Sequence, residues 1–301
     1  MGYLLAAALI VIALLAWRPF YRERWRVAEA EIGQRLALGA DNIIRGAESI
    51  RAGAAPRAAL LLHGFGDTPQ SLAYLAQRLV DAGWTVSAPL LPGHGRTLSA
   101  LHASRAADWL KCAREEFDAL AARYRCVVVC GQSMGAALAL DVAAQRPIQS
   151  LALLAPYIAT PIAVRAAAVV WPLAQLMLPV IRTLDARSIQ DPAARAKSLG
   201  YGYTTPHLLA ELAAVVRRAN ARLRDVRVAT LIVHSREDNR VPVAEVQRAV
   251  HSIPYPEKSV HWVTGCGHVL TADYCRDSVS TLVVDWFERV AAAQDAAAQT
   301  R

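Results

Sequence analysis

Cys126-Val127-Val128-Val129-Cys130-Gly131-Gln132-Ser133-Met134-Gly135 decides how this chain is read. Five residues suited to a buried strand run into Gly-x-Ser-x-Gly, and the alanine-rich Ala136 to Gln145 that follows suits a helix. On a strand-turn-helix of this kind the serine takes a strained backbone conformation, and the glycines two positions to either side remove Cβ atoms that would collide there. Its hydroxyl stands at the carboxyl edge of a sheet, and the first N–H groups of the helix point to where an oxyanion would form. Ser133 is therefore the candidate nucleophile of an acyl transfer.

A serine hydroxyl reacts only when a base takes its proton and a carboxylate orients that base, in the chain order serine, acid, histidine. Residues 229 to 234 read as a buried strand opening into Ser235-Arg236-Glu237-Asp238-Asn239-Arg240. Asp238 is the candidate acid, with Glu237 beside it as the alternative. A further β-branched run at 259 to 263 precedes Gly265-Cys266-Gly267-His268, a turn that can carry a histidine over the sheet, and His268 is the candidate base. The apolar run 58 to 62 ends in His63-Gly64-Phe65-Gly66-Asp67. A tight loop there would aim backbone amides inward, so the N–H groups of Phe65 and Met134 are the candidate oxyanion donors. His63 is expected to brace that loop by hydrogen bonding.

The strings LLLHGFGDTPQSL, SAPLLPGHGRT, GQSMGAALAL, HSREDNRVP and GCGHVLTADYCRD, in this order, resemble the α/β-hydrolase superfamily. The likeness is to its bacterial carboxylesterases and monoacylglycerol lipases, and it runs from about residue 58 to 290. It implies cleavage of carboxylic esters through an acyl-enzyme without a cofactor, with Ser133, Asp238 and His268 as the triad and Phe65 and Met134 at the oxyanion hole. Epoxide hydrolases and dehalogenases carry an aspartate at the elbow, which Ser133 argues against. Thioesterases and amidases share the triad and stand as alternatives, as does a membrane-tethered, non-catalytic binding protein on the same fold.

The wider pattern predicts an α/β, doubly wound, mostly parallel sheet with an inserted helical cap and an N-terminal hydrophobic helix. Apolar strands at 58–62, 84–88, 126–130, 150–155, 229–234 and 259–263 alternate with helices at 70–82, 106–123, 134–145, 243–251 and 276–293. The core is expected over 58–156 and 228–293, after a lead-in at 27–57, with a tail at 294–301, and the alanine-rich 291–301 is expected to fray. The intervening 157–227 is the cap. Its first half, Ile162 to Leu184, is almost wholly apolar and broken by Pro172 and Pro179, so Trp171, Leu176 and Met177 are expected to line an acyl pocket. Its second half, His207 to Arg224, has an apolar stripe of Leu208, Leu212, Val215, Ala219 and Leu223. The arginines at its end suit a solvated face or an anionic lipid surface.

Gly2 to Trp17 carries no charge, and Arg18, Arg22, Arg24 and Arg26 follow it. Such a run covers about 24 Å of a hydrocarbon core about 30 Å thick, and Tyr3, Trp17, Phe20, Tyr21 and Trp25 flank it as an interfacial belt would. The residues 1–26 are expected to form an uncleaved anchor and basic flank; the alternative is a signal removed on export. Arginines on the carboxyl side put the catalytic domain on the cytoplasmic face of a bacterial inner membrane. Five cysteines cannot all pair, and they are expected as reduced thiols with no metal site. The net charge of +8 is spread along the chain without a nucleic-acid motif, so the expected partners are an acyl ester and a membrane.

Overall fold

The computed structural model describes residues 2–158, 162–183 and 188–299. In chain order the named elements are α1 (Gly2–Arg35), β1 (Ile50–Ala52), β2 (Arg57–Leu62), α2 (Ala73–Asp81), β3 (Thr85–Ala88), α3 (Leu98–Ala103), α4 (Ala106–Ala121), β4 (Cys126–Gln132), α5 (Met134–Ala143) and β5 (Leu151–Leu154). There follow α6 (Ile162–Met177), β6 (Ile181–Arg182), α7 (Pro192–Lys197), β7 (Tyr203–Thr204), α8 (Pro206–Ala221), β8 (Thr230–Ser235), α9 (Val243–His251), β9 (Lys258–Val263) and α10 (Arg276–Gln299).

Seven strands form one sheet in the order β1-β3-β2-β4-β5-β8-β9, parallel except for β1 at its edge. Successive strand residues point to opposite faces, so the apolar runs split between two cores. Ala58, Leu60, Leu62, Val127 and Val129 join one with α4, α5 and α8. Ala59, Leu61, Val128 and Cys130 join the other with α2 and α10. Parallel strands all end at one rim, where Leu62 lies beside Gly131, Gln132 beside Leu154 and Ser235 beside Val263. The loops after β2, β4, β8 and β9 therefore converge, although residues 62 and 268 are far apart in sequence.

Several expectations change. The alanine-rich 291–301 is helical as far as it is described: α10 continues to Gln299, because alanine is the strongest helix former, and residues 300 and 301 lie outside the described ones. The anchor and lead-in are not separate at 26, since α1 runs unbroken to Arg35 with Pro19 inside it. Its second half docks on the core through Ala28, Ile32 and Leu36. Among the described residues no helix is long and apolar enough to cross a membrane. The side chains of residues 2–15, which carry most of the uncharged run, lie outside them. Within the cap's first half, Ile162–Met177 is one helix, α6, with Pro172 inside it, and Ile181–Arg182 is the short strand β6. The stripe on α8 is buried; of the arginines at its end, Arg217 and Arg224 are exposed, while the partly exposed Arg218 and Arg222 also reach Asp141 on α5, at 2.6 and 3.4 Å. The expectation of five thiols is also corrected. The turn after β9 brings Cys266 back beside Cys275, with Cα atoms 5.8 Å apart, and the two form a disulfide that leaves Cys112, Cys126 and Cys130 outside it.

Candidate active site

Between β4 and α5, Ser133 sits at φ 57° and ψ −118°, a conformation that costs a non-glycine residue of order 1–3 kcal/mol. Neighbours hold it there. Its N–H donates to the Leu154 carbonyl at 2.9 Å, and its carbonyl accepts from Ala136 and Tyr157. A Cβ on Gly135 would run into the Leu62 carbonyl, and one on Gly131 into the Gly135 carbonyl, so both glycines are needed for α5 to start this close to β2.

His268 Nε2 lies 2.7 Å from Ser133 Oγ, and its Nδ1 lies 2.7 Å from Asp238 Oδ2. The Asp238 side chain is fully buried, and its other oxygen accepts the N–H groups of Arg240 at 2.7 Å and Val241 at 2.9 Å. Burial would raise its carboxyl; the facing His268 ring and the two amides outweigh that and hold it below the usual range. An ionised Asp238 fixes the proton on Nδ1, which leaves the Nε2 lone pair facing the serine hydroxyl. Glu237 points elsewhere, accepting from Ser235 and from the Gly265 N–H.

The N–H groups of Phe65 and Met134 have no acceptor among the described residues. A Cβ on Gly64 would meet the Ser133 Cβ at 3.4 Å, so that loop runs beside the nucleophile. His63 spans it: Nδ1 donates to the Gly64 carbonyl at 2.9 Å while Nε2 accepts the Leu91 N–H at 3.1 Å. Only a neutral imidazole can do both, and burial lowers its pKa to about 4.

Ser133 and His268 open into a pocket of about 660 Å³, lined also by Phe65, Tyr157 and, from α8, Leu209 and Leu212. The expected acyl contacts are not brought there. Trp171 packs its ring on His207, centroids 4.9 Å apart, and Leu176 and Met177 stand 41% and 51% exposed on the outer side of α6. Sequence reading passed over Arg35, Arg195 and Arg240, which line the pocket, because a lone arginine carries no pattern. It also passed over the wholly buried Asp273, whose carboxylate accepts the N–H groups of Gly267, Tyr274, Gln190 and Asp191 at 2.7–2.8 Å. An aspartate just ahead of α10, inside the turn that holds the histidine, was the available signal.

The sequence profile of the family described as serine aminopeptidase, S33, matches residues 54–274. A thermostable monoacylglycerol lipase from Bacillus sp. (strain H-257) is 29% identical over 252 residues, 82% of this chain and 96% of the relative. A carboxylesterase of Bacillus subtilis (strain 168) is 24% identical over 236 residues, covering 78% and 93%. Among solved structures, one from work on the metagenome-derived lipolytic enzymes LipS and LipT superposes with a TM-score of 0.76 at 26% identity, over 82% of this chain and 99% of that one. The profile match spans most of the chain and the elbow geometry agrees with it: this protein belongs to the serine aminopeptidase S33 family of the α/β-hydrolase superfamily.

Proposed function

We propose that this chain hydrolyses carboxylic esters through an acyl-enzyme on Ser133. One observation carries the reading: an unbroken relay from buried Asp238 through His268 to Ser133, with 2.7 Å at each step, at the floor of a pocket. As Oγ attacks the ester carbonyl, its proton passes to His268 Nε2, and Asp238 stabilises the imidazolium. The Phe65 and Met134 N–H groups receive the developing oxyanion. His268 returns the proton to the departing alcohol, then deprotonates a water that repeats the sequence on the acyl-enzyme. The relatives named as monoacylglycerol lipase and carboxylesterase support an acyl ester over a thioester or amide. Ser133→Ala in the full chain should lose ester turnover by several orders of magnitude, together with labelling by a fluorophosphonate. Persistent labelling would mean another nucleophile.

A membrane location is part of the proposal. The outer face of α6 exposes Val169, Val170, Leu173, Leu176, Met177 and the following Leu178, by 41–80%, more contiguous apolar surface than scattered residues explain. The Trp17 indole donates to the Leu176 carbonyl, so this face adjoins the end of the apolar run in α1. The full chain should sediment with membranes and resist high salt, since apolar insertion is not screened; release by salt alone would assign binding to the arginines. The basic flank favours a cytoplasm-facing domain. The Cys266–Cys275 bridge favours an exported one, because disulfides persist in oxidising compartments. Protease access in intact spheroplasts decides between them, and a mature terminus near Trp17 would show a cleaved signal.

A further inference from the structure

The catalytic pocket presents cationic hydrogen-bond donors. Beside its apolar wall from α8, the described residues that line it include Arg35, Arg195 and Arg240 and the carboxylate of Asp67. Arg240 is half-buried and held in place: Nε donates to Ser188 Oγ at 3.0 Å and Nη2 to the Thr183 carbonyl at 2.7 Å. Arg35, reaching in from α1, donates through Nη2 to the carbonyls of Gly200 and Tyr201, both at 2.6 Å. Among the described residues neither guanidinium lies within ion-pair distance of a carboxylate, and each keeps N–H groups that no acceptor takes. Next to Arg240, Asn239 accepts from Ser188 Oγ at 3.2 Å, which fixes its amide, and its Nδ2 is buried with no acceptor among the described residues. A buried donor left unpaired is costly.

Resting on the esterase reading, we infer that the pocket takes an ester bearing an anionic oxygen group, a phosphate or a carboxylate, received by Arg240 and Asn239 with Arg35 at its mouth. Planar guanidinium and amide donors match the paired oxygens of either group, and a neutral hydroxyl would leave most of them unused. Both residues directly follow Asp238, so the anion would sit beside the acid loop while the scissile carbonyl faces Ser133. The profile match begins at residue 54, so Arg35 is a contribution of this chain's own N-terminal helix.

The test compares kcat/KM of the full-length enzyme for three esters of equal acyl length: a neutral monoacylglycerol, an acylglycerol phosphate and a monoester of a dicarboxylic acid. At least one anionic ester should be preferred by about ten-fold or more, and Arg240→Gln should remove most of that preference. Which anionic ester is preferred names the source of the anion. Equal or better use of the neutral ester, or a preference untouched by Arg240→Gln, overturns the inference. Titration of the Ser133→Ala protein with glycerol phosphate and with glycerol separates this from a failure of the esterase reading. Saturable binding of the phosphate alone, weakened about ten-fold by adding Arg240→Gln, supports the anion site even if no ester is hydrolysed. Binding of the phosphate no tighter than that of glycerol overturns it.

Discussion

Asp273 shows how much of the catalytic geometry rests on a residue that does no chemistry. Its buried carboxylate gathers the Gly267 amide beside His268 and the amides of Gln190 and Asp191 in the cap, so one side chain fastens the histidine turn to the lid of the pocket. In Asp273→Asn an NH2 replaces one acceptor oxygen and faces N–H groups. About 2–4 kcal/mol of stability should be lost in urea melts, and kcat should fall by more than KM rises, because the base is displaced more than the pocket. His63 makes a different demand. In the unfolded chain it titrates near 6.5 and in the fold near 4, so between those values the unfolded state binds a proton that the folded state refuses. Stability should therefore be complete above about pH 6.5 and decline as pH falls to about 4, by up to ~3 kcal/mol from this group. His63→Gln should flatten that part of a pH series of urea melts; an unchanged slope would show that other groups set it.

At the scale of elements, α8 joins cap to core. Leu208, Leu212, Val215 and Ala219 bury its stripe, and Arg218 and Arg222 of this segment share Asp141 with Arg114 of α4, at 2.6, 3.4 and 2.8 Å. The Asp141 side chain is 1% exposed, whereas the arginine side chains it gathers keep 24–40% of their surface, so removing it takes away three charge-assisted contacts but leaves the arginines partly solvated. Asp141→Ala should cost about 1–3 kcal/mol and loosen α8 from α5, read as faster proteolysis within 157–227 than within the sheet. Cleavage spread evenly over the chain would mean that the network stabilises the whole molecule and not the cap joint.

For the whole molecule the decisive element is α1, which lies outside the profile match and yet belongs to the fold. A chain starting at Val27 keeps Ala28, Ile32 and Leu36 in the core; among the described residues it loses the Trp17–Leu176 and Tyr21–Gln175 contacts to the cap and the half-buried Trp25 with its bond to Ser99. It should be soluble, melt within a few degrees of the full chain and cleave water-soluble esters. A chain starting at Ala37 removes two large buried side chains, worth about 3–6 kcal/mol together, and should unfold markedly earlier in thermal melts. Equal stability of the two chains would show that the docking of α1 is incidental.

What the sequence by itself determined is what local pattern can encode. The elbow, the order Ser133, Asp238, His268 and the continuous apolar strands each depend on neighbours a few residues away, so strand-turn-helix chemistry is legible before any folding. Tertiary structure decided the rest. Cys266 meets Cys275 only because the histidine turn closes on itself, and Trp171, Leu176 and Met177 lie away from Ser133 because α6 turns its apolar side outward. Arg35, Asn239 and Arg240 become one donor-lined wall only when α1 and the β8 loop converge over the sheet's rim. A single polar residue carries no periodicity; its role is set by what long-range packing places opposite it.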